Sequence, residues 1–208
     1  MAIDVRAITD DEIHLFRSRI ARGFGSDIKE DEVDRFRATI DPVRTVAAFD
    51  GDDIVGTGAA LDFDVTVPGG TLAMGGTTII TVSPTHRRRG VLTQMMRVHF
   101  DEIRGRGEPL AGLWASETPI YGRFGYGWTV SGNETKIDGR AVEFIHPAPS
   151  GDVRLVDEDR ALDLIRPVYD RVRLSRPGML SRSDAWWTWR AMGDPEYWRE
   201  GRSKKRYA

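Results

Sequence analysis

Apolar and polar positions alternate at the start of the chain, with Ile3, Val5 and Ala7 on one face, which predicts a first strand over Ala2–Ile8. Thr9-Asp10-Asp11-Glu12 follows, with threonine and glutamate at the spacing of a capping box, so a helix is expected to open there. Ile13, Phe16, Ile20 and Phe24 then recur at helical intervals until Gly23 and Gly25 stop the helix. Val33, Phe36, Arg37 and Ile40 predict a second helix over about Glu30–Ile40, ended by Asp41-Pro42. Two strand-like runs, Thr45–Phe49 and Ile54–Ala60, flank Asp50-Gly51-Asp52-Asp53, a hairpin signal. The second run continues through Leu61, Phe63, Val65 and Val67 to Pro68-Gly69-Gly70, and Thr71–Val82 reads as the next strand. Ser83-Pro84 closes it, because proline cannot donate to a sheet ladder.

Beyond this turn the pattern predicts a helix over about Gly90–Arg104, a strand at Leu110–Ala115, a tyrosine-bearing turn and a strand at Trp128–Ile137. The order of elements is β-α-α-β-β-β-α-β, an α/β architecture. Pro147-Ala148-Pro149-Ser150-Gly151 reads as a linker, placed at 147–152, between a unit over 1–146 and a second over 153–208. In the second unit, Val153–Val156 is expected to be a strand. Asp159–Leu174 is expected to be a helix with Leu162, Ile165, Val168 or Tyr169, and Val172 in register. Trp186, Trp187 and Trp189 fall on a further helix, and Lys204–Ala208 begins a strand. Strand, helix, loop and helix repeat the chain's opening order, so the second unit reads as an incomplete internal repeat of the first.

Composition changes the picture only by exclusion. The 208 residues are 40% hydrophobic and 30% charged, with a formal charge of −2, which disfavours a general nucleic-acid binder. Cysteine is absent, so disulfides, thiolate metal sites and cysteine nucleophiles are excluded, in keeping with a reducing cytoplasm. No apolar run approaches the roughly 20 residues that would span a bilayer, and the N-terminus lacks the pattern of a signal peptide. The four histidines show no metal-ligand spacing, and no metal is expected.

Candidate chemistry concentrates between Ile79 and Gly127. Thr85-His86-Arg87-Arg88-Arg89-Gly90 opens a helix, where unpaired backbone N–H groups and the helix dipole favour an anion. Three arginines oppose that dipole unless an anion joins them, and Gly90 allows close backbone approach. Solvated arginines at a helix start are the plainer alternative. His86 is read as a hydrogen-bonded loop residue, and His99 as a packing residue beside Leu92, Met95, Met96 and Ile103. In the run from Pro119 to Gly127, Phe124 and Tyr126 are expected in the core. Tyr121 follows Trp114-Ala115-Ser116-Glu117 at a strand's carboxyl end, where open α/β sheets place ligands. A phenol of pKa about 10 keeps its proton at neutral pH and has one to give to a departing thiolate.

The array Val82-x-Pro84-x-His86-Arg87-Arg88-Arg89-Gly90, with Ala115-Ser116-Glu117 and Ile120-Tyr121-Gly122-Arg123-Phe124-Gly125-Tyr126-Gly127, resembles the N-terminal domain of the enhanced intracellular survival acetyltransferases. These are members of the GCN5-related N-acetyltransferase (GNAT) superfamily. Arg87-x-x-Gly90 is similar to that superfamily's acetyl-CoA motif, from which Leu92 departs in place of a small residue, although a bulky one is usual in this subfamily. The resemblance implies a mixed central sheet flanked by helices, followed by an incomplete second GNAT-like unit. It also implies acetyl transfer from acetyl-CoA to a primary amine, either an aminoglycoside-like polyamine or a lysine side chain.

By position, the resemblance makes Ile80, Thr81 and Val82 the backbone contacts to the pantetheine arm and acetyl carbonyl. Arg88, Arg89, Gly90, Val91, Leu92 and Thr93 would surround the pyrophosphate, Ser116 and Glu117 would line the cleft, and Tyr121 would be the general acid. The family's base is the C-terminal carboxylate of a third, sterol-carrier-like domain, to which nothing here corresponds. The chain is therefore expected to be a truncated piece or a short member. Homo-oligomerisation as a hexamer is expected by the same likeness. Asp27, Glu30, Asp31 and Glu32 are candidates to attract a cationic acceptor. The rival expectation is a catalytically incomplete module that binds CoA or supports assembly; nucleic acid and membrane are not expected partners.

Overall fold

The computed structural model describes residues 3–132, 134–138, 140, 145–146, 151–199 and 201–208. Five strands form one sheet in the order β1-β2-β3-β4-β5: β1 Asp4–Arg6, β2 Thr45–Asp50, β3 Asp53–Val67, β4 Gly70–Val82 and β5 Leu110–Leu113. The first four pair antiparallel and β4 pairs parallel with β5, the mixed sheet expected. Asp50 faces Asp53 across the hairpin turn, where Gly51 takes φ 62°. That left-handed backbone is the reason glycine stands there.

The helices sit where periodicity placed them: α1 Ile13–Gly23, α2 Glu30–Thr39 and α3 Val91–Gly105. The capping box forms at Thr9 and Glu12, where the Glu12 carboxylate accepts from the Thr9 backbone N–H at 2.9 Å. Bidentate hydrogen bonds from Arg6 hold the same carboxylate and depress its pKa to about 2. Ile13, Phe16 and Ile20 of α1 are buried against Ala47, Phe49 and Ile54. Val91 and Met95 of α3 pack with Val46, Ala48 and Val55. Burial on this scale is what holds short helices, since isolated ones of this length are marginal in water.

Beneath the sheet's other end, the guanidinium of Arg44 is wholly shut from solvent. It donates to both oxygens of Glu108 (2.9 and 2.6 Å), to Glu102 and to Asp62. A buried charge needs such partners, because desolvating it alone costs several kcal/mol, of order.

Downstream, α4 spans Glu158–Arg173 and α5 spans Asp184–Trp186, continuing as a π-turn over Trp187–Ala191. Residues 178–181 line the edge of β3: Gly178 donates to Thr66 O, Thr66 N to Met179 O and Ser181 N to Asp64 O. Trp186 stands edge-on to Phe63, with ring centroids 5.2 Å apart.

Several expectations fail. Phe24 lies past the end of α1 and is 56% exposed. The described residues of 128–137 carry no strand; Trp128, Val130 and Ile137 face solvent and lack a ladder partner. The strand expected at Val153–Val156, and its counterpart after Lys204, shrink to one bridge between Val156 and Tyr207. In α4, Ile165 and Val168 are exposed while Ala161 is buried, so the apolar stripe is only partly covered. The linker positions 147–150 lie outside the described residues. Among the described residues, no helix is long and apolar enough to cross a membrane.

Candidate active site

The sheet opens at its β4–β5 end. Met74–Thr77 pair with Leu110–Leu113, and there β5 stops, two residues short of the strand expected. From Thr78 onward β4 keeps β3 on one side and has no strand on the other among the described residues. A fork results, and its β4 arm carries Ile80, Thr81 and Val82.

That arm is bent. The register with β3 shifts between Thr57 and Ala59, and Ile79 takes φ 52°, an outlier for a β-branched residue. The buried Thr57 hydroxyl stabilises the bend by donating to Ile79 O at 2.9 Å, and it accepts from the Thr81 hydroxyl at 2.8 Å. Such strain persists only where the surroundings hold it, and it gathers at functional sites. Gly23 matters to the same arm, since a Cβ there would come within 2.7 Å of the Thr81 methyl, so only glycine lets α1 end against it.

At the end of β4 the chain turns through Pro84–His86 into the arginine loop. Arg88 takes φ 61° and Gly90 φ 80°. Gly90 sits at the N-cap of α3, where no side chain caps the helix, so the first amides, those of Val91, Leu92 and Thr93, lack intrahelical acceptors. Arg87, Arg88 and Arg89 are exposed and have no ion-pair partner among the described residues. Together these groups form a basic cradle of N–H donors that suits a pyrophosphate. His86 is structural, as expected: Nε2 meets Asp50 Oδ2 at 3.0 Å and Nδ1 meets the Thr85 hydroxyl at 2.8 Å, anchoring the loop to the β2–β3 hairpin.

On the other arm, Trp114, Ser116 and Glu117 are exposed beyond β5, followed by short 3-10 turns at Thr118–Ile120 and Gly122–Phe124. Tyr121 joins those turns. Its ring is half-buried, and its hydroxyl makes no hydrogen bond among the described residues. Burial, and secondarily Glu117, pushes the phenol pKa above 10, so it stays protonated at neutral pH. Tyr126 packs edge-on to it with centroids 5.8 Å apart. Tyr126 and Phe124 are half-buried rather than core residues, and the Tyr126 hydroxyl bonds Thr77 Oγ1 at 2.6 Å.

The structure thus brings Ile80–Val82 and Arg88–Thr93 into one continuous strand and loop, and hangs Ser116, Glu117 and Tyr121 from the opposite arm. Sequence reasoning missed Thr57 and Thr77. A threonine in a β-branched run is an ordinary strand residue, and its partners lie 22 or more residues away. Of the acidic candidates, Glu32 is engaged by Arg17 at 2.5 Å and Asp27 is exposed. Among the described residues, no group of histidines and carboxylates could hold a metal ion.

Comparison with known proteins agrees with this geometry. Residues 4–129 match the Acetyltransferase (GNAT) domain family. An uncharacterized N-acetyltransferase of Streptomyces avermitilis is 42% identical over 98% of this chain and 50% of its own length. N-acetyltransferase Eis of Mycobacterium tuberculosis is 38% identical over 66% of this chain and 36% of its own. The crystal structure of Eis1 from Mycobacterium abscessus superposes with a TM-score of 0.73 at 28% identity, covering 89% of this chain and 46% of that one. The chain spans about half the length of the curated relatives it matches. With a family match over more than half its residues, and the mixed sheet flanked by helices that the resemblance implies, the chain belongs to the GNAT acetyltransferase family.

Proposed function

We propose that the chain transfers an acetyl group from acetyl-CoA to a primary amine, with Tyr121 as the acid that protonates the departing thiolate. The observation that carries this reading is the fork itself: a kinked strand edge, open among the described residues and continuous with the basic N–H cradle, with a phenol of unspent hydroxyl on the turn beyond the other arm. These features fit the coenzyme. Residues 88–93 would hold its pyrophosphate, and the open edge at Ile80–Val82 would receive its amide-bearing arm and polarise the acetyl carbonyl. Ser116 and Glu117 would line the cleft. When bound, acetyl-CoA supplies an activated thioester.

Tyr121 then has a defined task. A phenol above pKa 10 gives its proton to a thiolate of pKa about 8.5 only uphill, by more than about 1.5 units. It therefore works as a fixed hydrogen-bond donor to the sulfur while the C–S bond breaks and negative charge builds there, and the proton it passes to the thiolate is restored from solvent. His99 is buried and too weakly basic to take the amine's proton, so the amine attacks as the neutral base and releases its proton to solvent as the C–N bond forms. A cationic polyamine or a lysine side chain is the class of acceptor proposed.

The test is acetyl-CoA consumption with a polyamine acceptor, parent beside Tyr121→Phe, with coenzyme binding followed by calorimetry. Loss of the acid should lower kcat by about 10²-fold or more and leave the coenzyme Kd within about twofold. Equal rates would remove Tyr121 from the chemistry. A second reading is a module that binds the coenzyme without turnover; binding with no turnover in either protein would establish it.

A further inference from the structure

The Tyr121 hydroxyl bonds to none of the described residues, and the ring is placed by its neighbours. Its backbone carbonyl accepts from Phe124 N at 2.9 Å and, at 3.4 Å, from Tyr126 N, which closes the turn on itself. Among the described residues its ring meets one aromatic partner, Tyr126. Tyr126 in turn is tied down at its far end: its hydroxyl lies 2.6 Å from Thr77 Oγ1, and Thr77 Oγ1 lies 2.8 Å from His99 Nε2. Phe100 flanks this line, 5.8 Å from Tyr126 and 5.9 Å from His99 between centroids.

The places of these three residues matter. Thr77 is the last residue of β4 that pairs with β5, opposite Leu113, so it marks the apex of the fork. His99 belongs to α3, the helix whose N-terminus is the basic cradle. Thr77 and His99 are 6% and 2% exposed, which leaves little room for water to substitute for either bond. A threonine hydroxyl has one proton, so it donates to one neighbour and accepts from the other, and the line has a direction. Burial, and then the nearby Arg44 cation, lowers the His99 pKa to about 4, so its ring is neutral at physiological pH. A group that weakly basic is a poor proton sink. The line therefore holds position and carries no substrate proton.

We propose that Tyr126, Thr77 and His99 form a positioning device for Tyr121, a hydrogen-bonded brace that fixes the phenol-bearing turn to the apex of the fork and to the coenzyme helix. The inference rests on Tyr121 being the reactive phenol. Through the brace, the two arms of the fork keep one separation, and the phenol keeps one distance from the edge that receives the thioester. A misplacement of about 1 Å at such a group can cost about 10²-fold in rate, so a brace of this kind has a large effect to protect.

The decisive variants are Thr77→Val, which keeps shape and removes the hydroxyl, Thr77→Ser, which keeps the hydroxyl, and Tyr126→Phe. Ring-¹³C tyrosine NMR on the free protein follows the titration of Tyr121, identified by its loss in Tyr121→Phe. In the parent and in Thr77→Ser, Tyr121 should titrate above the ordinary phenol value. In Thr77→Val and Tyr126→Phe its midpoint should fall back towards 10 as water reaches the loosened turn, and its resonance should broaden. Unchanged titration and line shape in both variants would overturn the brace.

The same variants in the acetyl-transfer assay should lower kcat about tenfold with the acetyl-CoA KM within about twofold, and serine should restore the rate. Impaired Tyr121→Phe beside unimpaired Thr77→Val and Tyr126→Phe would also overturn it. If Tyr121→Phe is as active as the parent, the catalytic reading falls instead, while the NMR titration still decides whether the brace exists.

Discussion

In the sheet unit, a guanidinium and an imidazole are held away from water: Arg44 among Glu102, Glu108 and Asp62, and His99 beneath the fork. From Glu158 onward the treatment is different. Arg166 meets Asp170 and Asp184 in solvent, Lys204 meets Glu158 in solvent, and apolar side chains such as Leu164, Val168 and Leu174 share that exposure. The buried apolar residues there are few, with Trp187 the largest, packed on Tyr169. The two regions differ in degree: the later segment shuts away Asp194 beside Arg199 and desolvates Arg190, yet α4 lies half in solvent. The sheet unit holds the more complete low-dielectric setting, in which a fixed phenol or a fixed N–H group exerts its full effect. The later segment leans on that setting along the edge of β3 and on Arg35 of α2, which lies over Trp189 and Trp198.

The largest effect expected from breaking the contrast is at Arg44. Arg44→Met should cost about 3–5 kcal/mol, because Glu108 is left buried without its cation. Arg166→Met removes the same chemistry from the other region and should cost under about 1 kcal/mol, since both of its carboxylate partners are solvated. Urea midpoints of the two variants give the comparison directly. Comparable losses would mean that the later segment excludes water as well as the sheet does.

A smaller effect comes from His99. Its folded pKa of about 4 lies below the ordinary 6.5, so between those values the unfolded chain binds more protons than the folded one. Stability therefore falls as pH drops from about 6.5 to about 4 and changes no further on this group's account below that. At about 1.4 kcal/mol per unit, the loss is about 3 kcal/mol. Urea unfolding at pH 7 and pH 4.5 should show it in the parent, and His99→Gln should flatten that part of the profile. A parent no less stable at pH 4.5 would mean that the imidazole is wetter than its 2% exposure implies.

How much of this was legible in the sequence depended on how far apart the deciding residues lie. Helices α1 to α3 could be read because Ile13, Phe16 and Ile20, or Val91, Met95 and His99, repeat within a few turns. The β2–β3 hairpin and the arginine loop are equally local, fixed by Gly51, Pro84 and Gly90. The place of Tyr121, on a turn beyond β5, was legible through its motif alone. The misread strands at Trp128–Ile137 and Val153–Val156 have the right residue types, but a strand also needs a ladder partner, which a sequence pattern does not supply. Phe24 kept the helical register past a helix that had already ended. The brace was invisible because Thr77, His99 and Tyr126 lie 22 and 49 residues apart along the chain.

The smallest effect sharpens the comparison from the exposed side. Val168 lies on α4 at 50% exposure, and its valine side chain contributes little that water does not already touch. Val168→Ser should shift stability by less than about 0.5 kcal/mol, as surface substitutions generally do. Val91→Ser at the start of α3, where the side chain is 1% exposed, puts a hydroxyl into the core and should cost about 2 kcal/mol or more. Urea midpoints measured at two protein concentrations tenfold apart separate the outcomes. If Val168→Ser costs about as much as Val91→Ser, and more so at the higher concentration, the α4 face is covered by a second copy in solution. The contrast between the regions would then belong to the isolated chain and not to its assembly. A shift near zero at both concentrations leaves the contrast as a property of the chain itself.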